Sequence, residues 1–154
     1  MVSHVLKRNP HVNILSDDIY EHITYGNFKF FTIAQIDNLK ERVLTMNGVS
    51  KAYSMTGWRI GFLAAPKPIA QAINALQSHS TSNATSFAQK GAVAALTGPQ
   101  THLDHWLTEF NNRRKYAAER LNNMTGISCV NSQGAFYLFP NIEATGLKSA
   151  EFCD

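Results

Sequence analysis

Long apolar runs, charge runs, repeats and paired cysteines are all missing from this chain. No apolar stretch approaches the roughly 20 residues of a membrane span. The opening MVSHVLKRNP has no apolar h-region of the signal-peptide type. Both absences lead us to expect a cytoplasmic protein with no membrane partner. Fourteen Lys and Arg against eleven Asp and Glu leave a formal charge of +3. The basic residues are scattered and form no tail suited to nucleic acid. Cys129 and Cys153 fit neither a disulfide framework nor a zinc site, so two reduced thiols are expected. His102 and His105 share a helical face, but no carboxylate or cysteine cluster completes a site. Exposed histidines and no metal are therefore expected.

What is present is a globular composition: 154 residues, 44% hydrophobic and 10% aromatic, enough for one real core. The apolar run Val12 to Leu15, after Pro10 and before Ser16-Asp17-Asp18, reads as a short buried strand. Arg42 to Met46 reads as a second strand, ended by Asn47-Gly48, and Ile60 to Ala65 as a third, ended by Pro66. Ile33, Ile36 and Leu39 predict a short helix over 32–40, giving the strand, crossover, strand order of a parallel sheet. Helical faces follow at Ile69, Ala72, Ile73 and Leu76, and at Phe87, Ala88, Ala92, Ala95 and Leu96. The longest helix is predicted over His102 to Asn122, its stripe from Leu103 to Leu121 serving as core contact. Two strand-like pieces, Ile127 to Val130 and Ala135 to Phe139, then change the character to α+β.

The chemistry concentrates in residues 48–61, GVSKAYSMTGWRIG. Lys51 follows a strand and a Gly-X-Ser turn, and Arg59 comes eight residues later. That suits a site holding a carbonyl cofactor at one end and its phosphate at the other. A lysine amine becomes a nucleophile once deprotonated, and burial or neighbouring cations favour that state. Arg59 offers a planar, permanently charged fork that matches a phosphate dianion. Against this stands the ordinary fate of most such residues, a surface lysine and a surface ion pair. Ser50 either orients the site or fills the turn. A second segment, Ile14 to His22, lies at the carboxyl end of the first strand, where open α/β sheets bind ligands. Asp18 reads as a turn or cap residue, Tyr20 alone as a core aromatic, and His22 as packed or solvated.

Residues 48–61 resemble the pyridoxal-phosphate attachment signature of class I aminotransferases. The run from Lys51 to Gly61 resembles the bacterial aspartate aminotransferase subgroup in particular, that of the aspartate/prephenate enzymes. The resemblance makes Lys51 the residue that forms the Schiff base with pyridoxal 5'-phosphate and serves as acid and base. It gives Asp17 the cofactor's pyridine nitrogen, Tyr20, three residues on, its phenolic oxygen, and Arg59 its phosphate. Residues 132–140, SQGAFYLFP, look like the small-domain strand motif of the same family. Residues 78–83 match a loop near the active-site interface of family dimers, or else an ordinary solvated loop.

The implied fold is α/β: part of the pyridoxal-phosphate-dependent transferase large domain, a mostly parallel sheet flanked by helices, then the start of an α+β small domain. An incomplete large domain over 1–102 is expected, then a long interdomain helix and incomplete small domain over 103–154. The resemblance covers nearly the whole chain in order, yet the family's enzymes are much longer. An internal piece is expected, with Met1 inside a large-domain helix and Asp154 inside the small domain. Marginal stability and no transamination by the chain alone follow from that. The implied activity is amino transfer between an aspartate-like amino acid and a 2-oxo acid, by an enzyme that is a homodimer at full length. The alternatives are an alanine or aromatic aminotransferase, a carbon–sulfur lyase, an inactive truncated product, or the aminotransferase-like module of a transcription regulator. The last would need a helix-turn-helix, and no segment offers one.

Overall fold

The computed structural model describes residues 2–154; Met1 lies outside them. The contacts divide the chain into two units, one of residues up to 22 together with 30–99, the other of residues 23–29 together with 100–154.

The first unit contains α1 (Val2–Arg8), β1 (Ile14–Asp17), β2 (Val43–Gly48), β3 (Gly61–Ala64), α2 (Lys67–Ser80) and α3 (Ser86–Thr97). The sheet order is β1-β2-β3. Strands β1 and β2 are parallel, with Ile14 opposite Val43 and Asp17 opposite Met46. Strand β3 is antiparallel to β2, with Gly48 opposite Gly61. The parallel pairing expected of the first two strands forms, and β3 adds an antiparallel edge to the mostly parallel sheet implied by the resemblance. Residues 49–60 contain only turns and a 3-10 segment, and a parallel return needs a crossover, usually a helix.

Leu6, Leu39 and Val43 form the core, with Ile14, Ile33, Ala34 and Ile36 packed against it. The predicted helix over 32–40 does not form. In its place are 3-10 segments at Ile33–Gln35 and Lys40–Arg42, and Asn38 adopts a left-handed φ of 66°. Ile33, Ile36 and Leu39 recur every three residues, the 3-10 period, so the same apolar residues reach the core without an α-helix. Arg42 ties this corner together, donating to the carbonyls of Leu6 (3.0 Å), Asn9 (2.6 Å) and Val12 (3.0 Å). The Leu6 carbonyl belongs to the last turn of α1, where acceptors lack helical partners.

Helix α2 starts after Pro66 with Pro68 in its first turn, where a missing N–H costs nothing. None of its residues is buried, so the predicted face of Ile73 and Leu76 lies open. In α3 only Ala88 and Ala92 of the predicted face are buried, while Phe87 and Leu96 are exposed.

The second unit contains α4 (Thr101–Asn122), β4 (Ser128–Cys129), β5 (Pro140–Asn141) and α5 (Ser149–Cys153), with β4 and β5 antiparallel. In α4, Ala118 is buried and most of the predicted stripe is half-buried. His105 is exposed, whereas His102 is half-buried with its ring edge-on to Trp106, centroids 4.8 Å apart. The Asn122 side chain binds both the N–H and the carbonyl of Cys129, each at 2.9 Å, pinning β4 to the end of α4. Residues 23–25 join through Thr24 opposite Gly134, and the Tyr25 hydroxyl donates to the Ala135 carbonyl at 2.6 Å. Burial raises the Tyr25 phenol above its ordinary pKa, with the nearby Arg114 charge opposing. The predicted strand at Ala135 to Phe139 is absent. Ala135 is left-handed (φ 56°), and the adjacent Phe136 and Tyr137 rings lie 4.9 Å apart instead of on opposite faces. Among the described residues no helix is long and apolar enough to cross a membrane.

Candidate functional site

The strand register gathers the predicted residues at one edge of the sheet. Asp17 ends β1 opposite Met46, and Lys51 follows the end of β2 by three residues. Arg59 precedes β3 by two, and β3 begins opposite the last residue of β2. The carboxyl ends of β1 and β2 and the amino end of β3 therefore share this edge.

Beyond β1 the ladder continues, with the Asp18 N–H donating to the Met46 carbonyl at 2.9 Å. Asp17 is exposed, and its carboxylate accepts the Ile19 N–H at 3.2 Å, which closes a turn. Asp18 is buried and its carboxylate accepts the Ser16 hydroxyl at 2.7 Å. It is thus a local turn residue, as its sequence setting suggested. Tyr20 sits half-buried in the turn, and the Lys51 amine lies 6.0 Å from the centre of its ring. Glu21 accepts from the Asn47 amide at 2.7 Å and also lies 3.4 Å from His22. The His22 ring meets Tyr53 edge-on, centroids 6.3 Å apart. Burial and the neighbouring Glu21 charge both raise the Tyr53 phenol above its ordinary pKa.

The loop 49–60 is held from within. Val49 is wholly buried and Ala52 nearly so, on either side of half-buried Ser50 and Lys51. At its base Gly48 has no room for a Cβ, which would stand 2.9 Å from the Ile60 carbonyl oxygen. The loop ends in a 3-10 turn, Thr56–Trp58, and Arg59 follows in the left-handed region with φ 55°. The Arg59 guanidinium donates to the Thr56 carbonyl at 2.8 Å.

Arg59 also lines a cavity of about 530 Å³ with Trp58, Thr81, Asn83, Thr85 and Phe87 among its walls. Lys51 does not line it. The structure thus brings Lys51 against Tyr20 and places Arg59 with small polar side chains between α2 and α3. Thr81 and Asn83 fall in the segment 78–83 that the resemblance set near the active-site interface, whereas Thr85 and the Glu21–Asn47 pair were not picked out from the sequence. Of the segment 78–83, residues 78–80 are the last turn of α2, and only 81–83 are loop. Its run of Ser, Thr and Asn between two helices was the one available signal.

Over its full length, residues 1–154, the sequence matches the family described as aminotransferase class I and II. The chain belongs to that family. The aspartate/prephenate aminotransferase of Cereibacter sphaeroides is 50% identical over 139 residues, 90% of this aminotransferase chain and 35% of that protein. A probable aspartate/prephenate aminotransferase of Rickettsia felis is 49% identical over 90% of the chain and 34% of its own length. The chain therefore spans about a third of the curated relatives it matches. The structure of an aspartate aminotransferase from Rhizobium meliloti superposes with a TM-score of 0.90 at 45% identity, covering 93% of this chain and 36% of that one. An aromatic aminotransferase from Pyrococcus horikoshii gives 0.92 at 36% identity, covering 98% and 40%. The α/β fold is that of part of these fold type I aminotransferases.

Proposed function

We propose that this chain forms the cofactor-attachment region of an aminotransferase that uses pyridoxal 5'-phosphate to move an amino group between an aspartate-like amino acid and a 2-oxo acid. The observation that carries this is the Lys51 amine over the Tyr20 ring, at the sheet edge where β1 and β2 end and β3 begins. The donor set fits the cofactor: an amine for its aldehyde, a carboxylate for its ring nitrogen, a phenol for its phenolic oxygen, a guanidinium for its phosphate.

When bound, pyridoxal phosphate supplies an electron sink for the bond that breaks at the substrate's α-carbon. Lys51 would hold the cofactor through its amine, and its Nζ, when free, would accept and return the substrate's α-proton. Asp17 would supply the carboxylate that keeps the ring nitrogen protonated. Tyr20 would donate its hydroxyl to the phenolic oxygen. Arg59 would anchor the phosphate, with Thr81 and Thr85, which line the same cavity, as further candidate partners. Ser50 shares the turn that presents Lys51. In this reading the substrates are a small amino acid and a 2-oxo acid, and the working enzyme is a homodimer.

Equilibrium binding of pyridoxal phosphate, followed by absorbance, tests the proposal. Arg59→Gln should weaken binding about tenfold or more through loss of a charge-assisted phosphate contact. Lys51→Ala should abolish the borohydride-reducible adduct. Wild-type affinity in Arg59→Gln would show that the phosphate binds elsewhere.

A further inference from the structure

We propose that the Glu21–Asn47 hydrogen bond is the latch that holds Tyr20 over Lys51, which makes Glu21 and Asn47 positioning residues of the cofactor site. The inference rests on the pyridoxal-phosphate reading of Tyr20 and Lys51. Glu21 is the residue after Tyr20, in the turn closed by its own N–H on the Asp18 carbonyl at 2.9 Å. Asn47 is in β2, four residues before Lys51. Its Nδ2 donates to Glu21 Oε1 at 2.7 Å.

The amide orientation is set by a second bond, because Asn47 Oδ1 accepts the Gly48 N–H at 2.7 Å. That leaves Nδ2 as the only group Asn47 can offer to the carboxylate, and a bond to an ionised acceptor is stronger than a neutral one. The backbone ladder joining β1 to β2 runs to the Asp18 N–H on the Met46 carbonyl. The side-chain bond extends that tie to the two turns carrying Tyr20 and Lys51, where a small shift of the phenol would lose its contact with the cofactor.

The test is the dissociation constant of pyridoxal phosphate for the full chain and a set of variants. Tyr20→Phe should weaken binding about tenfold, and so should Glu21→Ala. If Glu21 acts through Tyr20, adding Glu21→Ala to Tyr20→Phe should cost no more than about twofold further. Asn47→Asp keeps the acceptor for the Gly48 N–H but sets a carboxylate against Glu21, and it too should weaken binding. The pair Glu21→Gln with Asn47→Asp exchanges donor and acceptor and should restore affinity to within about twofold of wild type. A merely structural role for either residue would instead make the losses of Glu21→Ala and Tyr20→Phe add. The latch is overturned if Glu21→Ala costs as much in the Tyr20→Phe background as alone, or if the exchanged pair binds no better than Asn47→Asp. Unchanged affinity in Tyr20→Phe would instead remove Tyr20 from the cofactor site and overturn the underlying reading with the latch.

Discussion

The loop 49–60 and helix α2 belong to the same unit and differ in what holds them. The loop has a wholly buried residue, Val49, beside its lysine, a glycine pair closing its base, and a left-handed arginine at its end. Helix α2 is regular over all 14 of its residues and has no buried residue; Leu76 is 72% exposed. Regular structure and fixed geometry are therefore separate properties here. The site depends on short-range features, namely turn chemistry, strand register and one valine. The helix presents an apolar face whose partner is not among the described residues of its unit.

Three measurements sharpen that contrast. Val49→Ala removes two methyl carbons from a filled position and should cost about 2 kcal/mol of unfolding free energy. Denaturant titration would show it as a lower midpoint with unchanged slope. Leu76→Gln, on the open face of α2, should change stability by less than about 0.5 kcal/mol while lowering self-association seen by light scattering. A loss equal to that of Val49→Ala would mean that α2 is packed after all. The smallest effect concerns Tyr53. Its phenol is raised above the ordinary value by burial and by Glu21, so the folded form holds its proton more tightly than the unfolded chain. That contribution is complete below about pH 10 and is lost as pH rises through the folded value. An alkaline absorbance titration should lose one late-ionising tyrosine in Tyr53→Phe, and loss of one that ionises in the ordinary range instead would place Tyr53 in solvent.

Much of this was legible in the sequence. The three strands lie within about two residues of their predicted positions, and α4 differs from its predicted span by one residue. Lys51 and Tyr20, predicted from separate segments, lie together. The failures have physical causes. Ile33, Ile36 and Leu39 repeat every three residues, which suits 3-10 turns as well as one face of a helix, and the extended Ile36 and the left-handed Asn38 break the helix. Ala135 to Phe139 looked like strand because aromatic residues favour sheets. Instead Phe136 stacks on Phe110, centroids 5.4 Å apart, and the backbone bends away. The direction of β3 depended on the length and content of its connection, which the strand pattern does not encode. The Glu21–Asn47 bond joins residues 26 apart in sequence, and no local pattern marks it.

The central claim is that Lys51 is the residue to which pyridoxal phosphate attaches. Borohydride reduction of the chain with the cofactor, followed by peptide mapping, measures it directly, with Lys51→Arg as the control that keeps charge but forms no adduct. The account predicts label on Lys51 well ahead of the exposed Lys29 and Lys67, and its loss in the control. Equal labelling of Lys51, Lys29 and Lys67, or labelling that persists in Lys51→Arg at the wild-type level, would contradict it.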